Sequence, residues 1–211
     1  MGHLDLKKTI ERGMRRSNLP VSFTEGYNKR VKLEMGFPLS VGMIGEDEYL
    51  DLFLREPVET QEIQKSLEKA FQRILIIRRL KEIDEHAKAI TSFNAVLVNV
   101  LDGILKNREF TQSKIQEIID DIYSTKRIEV VRNGEKKDIR RFIEKIFFLS
   151  KNEDKVEIMV SIFYTALGSI RISEFLTIIN DKGLEMDFES VRRVNTYVLH
   201  KGNLFSPFDV E

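Results

Sequence analysis

The chain has no cysteine and no tryptophan, only four prolines, and no net charge. Without cysteine it can form no disulfide and no thiolate metal site, and it cannot hold an iron–sulfur cluster by the usual ligands. Its three histidines, His3, His86 and His200, are scattered and suggest no metal spacing. No apolar run approaches the roughly 18 residues of a membrane span, and no signal-peptide pattern opens the chain, so a cytoplasmic protein without membrane contact is expected. Zero net charge means that attraction to nucleic acid has to come from a local patch.

What is present is a charged, globular composition in 211 residues, enough for one large domain or two small ones. Leu6, Ile10 and Met14 recur every four residues and predict a helix over 4–18, ended by Asn18-Leu19-Pro20. Val31, Leu33, Met35 and Phe37 alternate with Lys32, Glu34 and Gly36, the pattern of a half-buried strand. Leu50, Leu52 and Leu54 repeat it. A helix follows, with Ile63, Leu67 and Phe71 in register, and the run ILIIRRL at 74–80 reads as a third strand.

The second half has the same grammar. FNAVLVNV at 93–100 is a strand, and 112–124 is a helix with Ile115, Ile118, Ile119 and Ile122 on one side and Thr111 as its N-cap. Asn133-Gly134 suits a type I′ hairpin turn. Strands are expected over 142–150 and 155–166, then a helix stopped by Gly183 and a closing strand VNTYVLH. Helices need a sheet face to cover their apolar stripes. The expected class is therefore α+β: two ferredoxin-like α/β sandwich halves, residues 1–88 and 89–211, the second with an extra hairpin and the first without its opening strand.

Three groups of side chains could carry chemistry. In an extended segment His3 and Asp5 would face the same side and could act together as acid–base groups. Equally, Asp5 could cap the first helix and His3 fill a hydrogen-bonded corner. The turn Gly26-Tyr27-Asn28 precedes Lys29, Arg30 and Lys32. With Lys7, Lys8, Arg12, Arg15 and Arg16 these make eight basic residues against three acidic ones in the first 32. Such a patch could bind phosphates, with Tyr27 stacking on a base, or could be an ordinary solvated face. Lys126, Arg127, Arg132, Lys136, Lys137, Arg140 and Arg141 surround the Asn133-Gly134 turn. They either extend that surface or guard an edge hairpin, and Asp138 could pair with Arg140. Phe142, Phe147, Phe148 and Phe163 read as core.

Several phrases resemble one family: Gly2-His3-Leu4-Asp5-Leu6, Glu11-Arg12, Glu25-Gly26-Tyr27-Asn28, Pro38-Leu39 with Gly42, and Glu48-Tyr49 with Asp51. Lys137-Asp138-Ile139-Arg140 and Arg192 or Arg193 extend the likeness into the second half. The chain resembles the radical-SAM-linked family of unknown function, DUF2344. It departs from that pattern where two turn prolines are replaced by Lys29 and Val31. The resemblance implies a further stretch before Gly2-His3 that forms the first strand, so that Met1 corresponds to an internal position. It also implies an accessory role beside a radical SAM protein, which itself uses SAM, an iron–sulfur cluster and cobalamin, and an RNA or ribosome-related substrate. This chain then binds no cofactor or metal and recognises the substrate through Gly26, Tyr27, Asn28, Lys29, Arg30, Lys32, Arg12, Arg16, Asp138 and Arg140. The alternatives are a stand-alone RNA-modification enzyme using His3 and Asp5, and a purely structural docking subunit.

Overall fold

The computed structural model describes residues 3–72, 74–84 and 86–210, with His3 described by its backbone alone. The protein is a mixed α/β structure in two compact units. One comprises the chain up to Val41 together with Tyr49–Ser92; the other comprises Gly42–Glu48 together with Phe93–Val210.

The first unit begins with helix α1 (His3–Arg16), whose stripe buries Ile10 and Met14. Its end is fastened by Ser17, whose hydroxyl donates to the Met14 carbonyl at 2.7 Å, and the chain reverses at Asn18 with φ 59°. Strands β1 (Leu33–Met35) and β3 (Leu50–Leu52) pair antiparallel, Glu34 opposite Asp51. Isolated bridges Val21–Leu54 and Phe23–Val31 widen this narrow sheet. Helix α2 (Thr60–Phe71) packs on α1 through Leu67 and Phe71. The two helices come so close that a Cβ on Gly13 would lie 2.1 Å from the Phe71 ring.

The third strand expected at 74–80 does not form. Leu75, Ile77 and Leu80 pack against the core while Ile76 is 84% exposed, so the run does cover apolar surface. A strand also needs a neighbour for its backbone groups, and among the described residues no ladder includes this run.

In the second unit, β2 (Ile44–Gly45) is a two-residue strand parallel to β9. The unit then runs β4 (Asn94–Leu105), α3 (Gln112–Ser124), the hairpin β5 (Glu129–Arg132) and β6 (Glu135–Asp138), β7 (Ile143–Asn152), β8 (Lys155–Tyr164), α4 (Ile172–Asp181), β9 (Met186–His200) and β10 (Asn203–Phe205). The main sheet has the order β10-β9-β4-β8-β7, antiparallel throughout, with β2 on a further stretch of β9. β4 lies at its centre, which explains why its sequence is apolar on both faces.

The Thr111 hydroxyl caps α3 by accepting the Lys114 N–H at 3.2 Å. Asn133 and Gly134 adopt φ 53° and 82°, the two left-handed residues of a type I′ turn. Gly183, φ 94°, ends α4. Phe142, Phe148 and Phe163 join the core as expected, but Phe147 is 45% exposed, because on β7 it alternates with buried Ile146.

Candidate functional site

The basic turn of the first unit is built as a hairpin. The Thr24 N–H donates to the Arg30 carbonyl at 2.8 Å, the Arg30 N–H donates to the Thr24 hydroxyl at 3.1 Å, and Phe23 bridges Val31. Between these rungs the chain bends through Gly26, φ 110°, a conformation that strains any residue with a Cβ. Tyr27 stands at the tip, 100% exposed. Asn28, Lys29, Arg30 and Lys32 are exposed with it.

Helix α1 contributes the rest of the surface. Arg12, Arg15 and Arg16 are exposed on the side opposite Ile10 and Met14. Arg15 ties helix to hairpin: its Nη2 donates to the Lys29 carbonyl at 3.0 Å and its guanidinium lies 5.0 Å from the centre of the Phe23 ring. Arg16 donates to the Ala70 carbonyl at 3.4 Å, and Lys32 sits over Phe53 at 4.4 Å. Among the described residues no carboxylate lies within ion-pairing distance of Arg12, Arg15, Arg16, Lys29, Arg30 or Lys32. The unit therefore presents cations on α1 and the hairpin that no described carboxylate pairs, together with one fully solvated aromatic ring. That combination suits a polyanion with flat, exposed rings.

The side chain of His3 lies outside the described residues. Asp5 is exposed in the first turn of α1. Because the helix begins at His3, the segment is not extended, and positions two apart are rotated by roughly 200° about the axis. The same-side geometry expected for His3 and Asp5 is thus absent from the backbone. The Asp5 carbonyl accepts the Thr9 hydroxyl at 2.9 Å, an ordinary helical contact.

Asp138 and Arg140 lie in the second unit and face its backbone. Asp138 Oδ1 accepts the N–H groups of Ile128 and Arg140 at 3.1 and 3.0 Å. The Arg140 guanidinium donates to the carbonyls of Ile143 and Tyr123 at 3.1 and 3.2 Å. Their pairing is between a carboxylate and a peptide N–H, and it holds the hairpin's exit. The neighbouring cations are largely neutralised. Arg132 makes a bidentate bond to Glu174 at 2.7 and 2.6 Å, which holds the Glu174 carboxyl below its ordinary range although burial pushes it up. Arg127 and Lys136 both reach Glu129, at 2.6 and 3.3 Å.

A third cluster, built on β2 and β9, went unrecognised as a site in the sequence. Here the Glu46 N–H donates to the Arg193 carbonyl at 2.9 Å, Asp47 accepts the Thr196 N–H at 2.8 Å, and Glu48 pairs with Arg193 at 3.0 Å. Arg193 is 3% exposed. Burial pushes the Glu48 carboxyl up to about 7 in spite of Arg193, and burial lowers Arg193 from its ordinary value. Next to it, Arg192 meets Asp102, Glu46 and Glu157 at 3.3, 3.5 and 3.5 Å. Burial pushes Asp102 up, but the Ser190 hydroxyl, donating at 2.5 Å, and Arg192 outweigh it and hold the carboxyl low.

The signal available beforehand was Asp102 inside an apolar run and two adjacent arginines within a strand, both rare in a sheet core. Every cation in this cluster is balanced by acid, so its arrangement suits holding β2 on β9 more than taking up a ligand. Among the described residues no group of three or more His, Asp or Glu side chains could hold a metal ion, and no helix is long and apolar enough to cross a membrane.

The chain belongs to a family described as an uncharacterized protein conserved in bacteria (DUF2344), whose model matches residues 1–171. No curated protein matches it. Among solved structures, a chain of the archaeal box H/ACA sRNP Nop10-Cbf5 complex is similar at 12% identity and a TM-score of 0.49, over 92% of this chain and 43% of that one. A chain of an H/ACA RNP bound to a substrate RNA containing 2′-deoxyuridine is similar at 12% identity and a TM-score of 0.49, over 96% and 44%. The present chain thus spans less than half the length of either.

Proposed function

We propose that this DUF2344 member is an RNA-binding accessory protein, recognising substrate on behalf of a separately encoded radical SAM protein. The observation that carries the RNA reading is the hairpin over 23–31: a fully exposed tyrosine among cations that no described carboxylate neutralises. Unpaired surface cations lower the free energy of a phosphate backbone by releasing its counterions. A solvated aromatic ring offers a stacking face of the kind that nucleic-acid proteins use.

The partnership rests on the family resemblance. None of the 211 residues is a cysteine, so a cluster with thiolate ligands, with its SAM and cobalamin, would have to be held outside them. Support for a ferredoxin-like second unit comes from its strand order, β9-β4-β8-β7, with α3 following β4 and α4 following β8.

The test is binding of a labelled transcript at several salt concentrations, by the wild-type chain and by the triple variant Lys29→Glu/Arg30→Glu/Lys32→Glu. The reading expects measurable affinity that weakens with salt and is lost in the triple variant. Equal binding by both proteins would remove the hairpin from the interface.

A further inference from the structure

Resting on that reading, we infer that the hairpin selects unpaired RNA over duplex RNA, with Tyr27 stacking on an exposed base. Three observations lead there. First, Tyr27 has no packing role, since its whole side chain is solvated at the apex of the bend. Second, the two nearby rings already have cationic partners within the unit, Phe23 with Arg15 and Phe53 with Lys32. Tyr27 is the ring on this surface whose faces no described side chain covers. Third, the tip is held in place. The Thr24–Arg30 rungs close the hairpin, and the bond from Arg15 to the Lys29 carbonyl fastens it to α1. A braced backbone leaves only the side-chain torsions of Tyr27 to be ordered on stacking.

The chemistry of the two RNA forms then separates them. Lys29, Arg30 and the α1 arginines can meet phosphates on either form. A ring at a hairpin tip can meet a base face only where that base is not already stacked between neighbours. In a duplex the base faces are covered, and only edges, sugars and phosphates remain to be read. Tyr27 therefore adds affinity for single strands and adds little for duplexes. The phenol oxygen has no part in this, so phenylalanine should replace tyrosine.

The experiment compares a labelled oligouridylate of about 12 nucleotides with an RNA duplex of about 12 base pairs, in the same buffer. The proteins are wild type, Tyr27→Ala and Tyr27→Phe, each checked for an unchanged circular dichroism spectrum. The expected result is a loss of about tenfold in single-strand affinity for Tyr27→Ala, a change within about twofold on the duplex, and near wild-type behaviour for Tyr27→Phe. An equal loss on both forms, or no loss on the single strand, overturns the inference while leaving the RNA reading intact. Failure of the wild-type protein to bind either RNA refutes the RNA reading itself, and the inference with it.

Discussion

Two hairpins in this protein are each turned by a glycine and each surrounded by lysine and arginine, yet they use their charges in opposite ways. Around Asn133-Gly134 several of the cations are paired with acid. Arg132 is locked to Glu174, and Arg127 and Lys136 share Glu129. Around Gly26-Tyr27 the only described polar contacts of the cationic side chains are those of Arg15 and Arg16 with backbone carbonyls, which leaves the charge uncancelled. A count of basic residues cannot separate these cases. What separates them is whether carboxylates stand beside the cations: Glu174 on α4 reaches Arg132, and Glu129 on β5 serves Arg127 and Lys136.

The comparison can be broken most forcefully at Arg132. Its ion pair is largely buried, with side-chain exposures of 18% and 14%. Removing it by Arg132→Ala should destabilise the chain by about 3 kcal/mol, because Glu174 is left buried without its partner. Arg30→Ala in the other hairpin should leave the urea midpoint unchanged. Similar midpoints for the two variants would show that the hairpins do not differ in kind.

The acid–arginine cluster on β9 sharpens the contrast through pH. The folded-state value for Glu48, about 7, lies above its ordinary 4.5. The folded chain therefore holds that proton more tightly than the unfolded chain does. The stability linked to it is present in full below about 4.5 and declines as pH rises through 7. Denaturant midpoints measured across that window should fall with rising pH, and Glu48→Gln should flatten the fall. An unaltered slope in Glu48→Gln would assign the effect to other groups.

Smaller changes follow at the turns. Asp138→Ala removes the acceptor for two N–H groups and should cost about 1–2 kcal/mol in the urea midpoint. Gly134→Ala and Gly26→Ala both force a Cβ into positive φ, at 82° and 110°, each costing on the order of 1 kcal/mol. In the first hairpin this should appear as lost stability alone. In the second it should also weaken RNA binding, because the tip that carries Tyr27 is displaced. If Gly26→Ala binds RNA as well as wild type, the shape of the turn is irrelevant to the ligand.

Much of the fold was legible because local pattern and tertiary environment agree. The α1 stripe Leu6, Ile10, Met14 lies on the core, and Asn133-Gly134 supplies the two left-handed residues that its hairpin needs. The reading failed at 74–80, where an apolar run was taken for a strand but no backbone pairs with it. An apolar run reports that side chains can be buried, whereas a ladder depends on a neighbouring backbone. The extended segment supposed for His3 and Asp5 is instead the start of a helix, where residues two apart do not share a side. The exposed hairpin was visible as a charge bias. The network of Glu46, Glu48, Asp102, Ser190, Arg192 and Arg193 was not, because it joins residues separated by up to about 146 positions in sequence. Only the resemblance had marked any of them.

The account stands on the hairpin's cations meeting phosphates directly. The most direct test is the slope of log Kobs against log salt for an unpaired RNA. Replacing Lys29, Arg30 and Lys32 by glutamate should reduce its magnitude by about 2, three contacts at roughly 0.7 each. The same slope in the wild type and the triple variant would contradict the account.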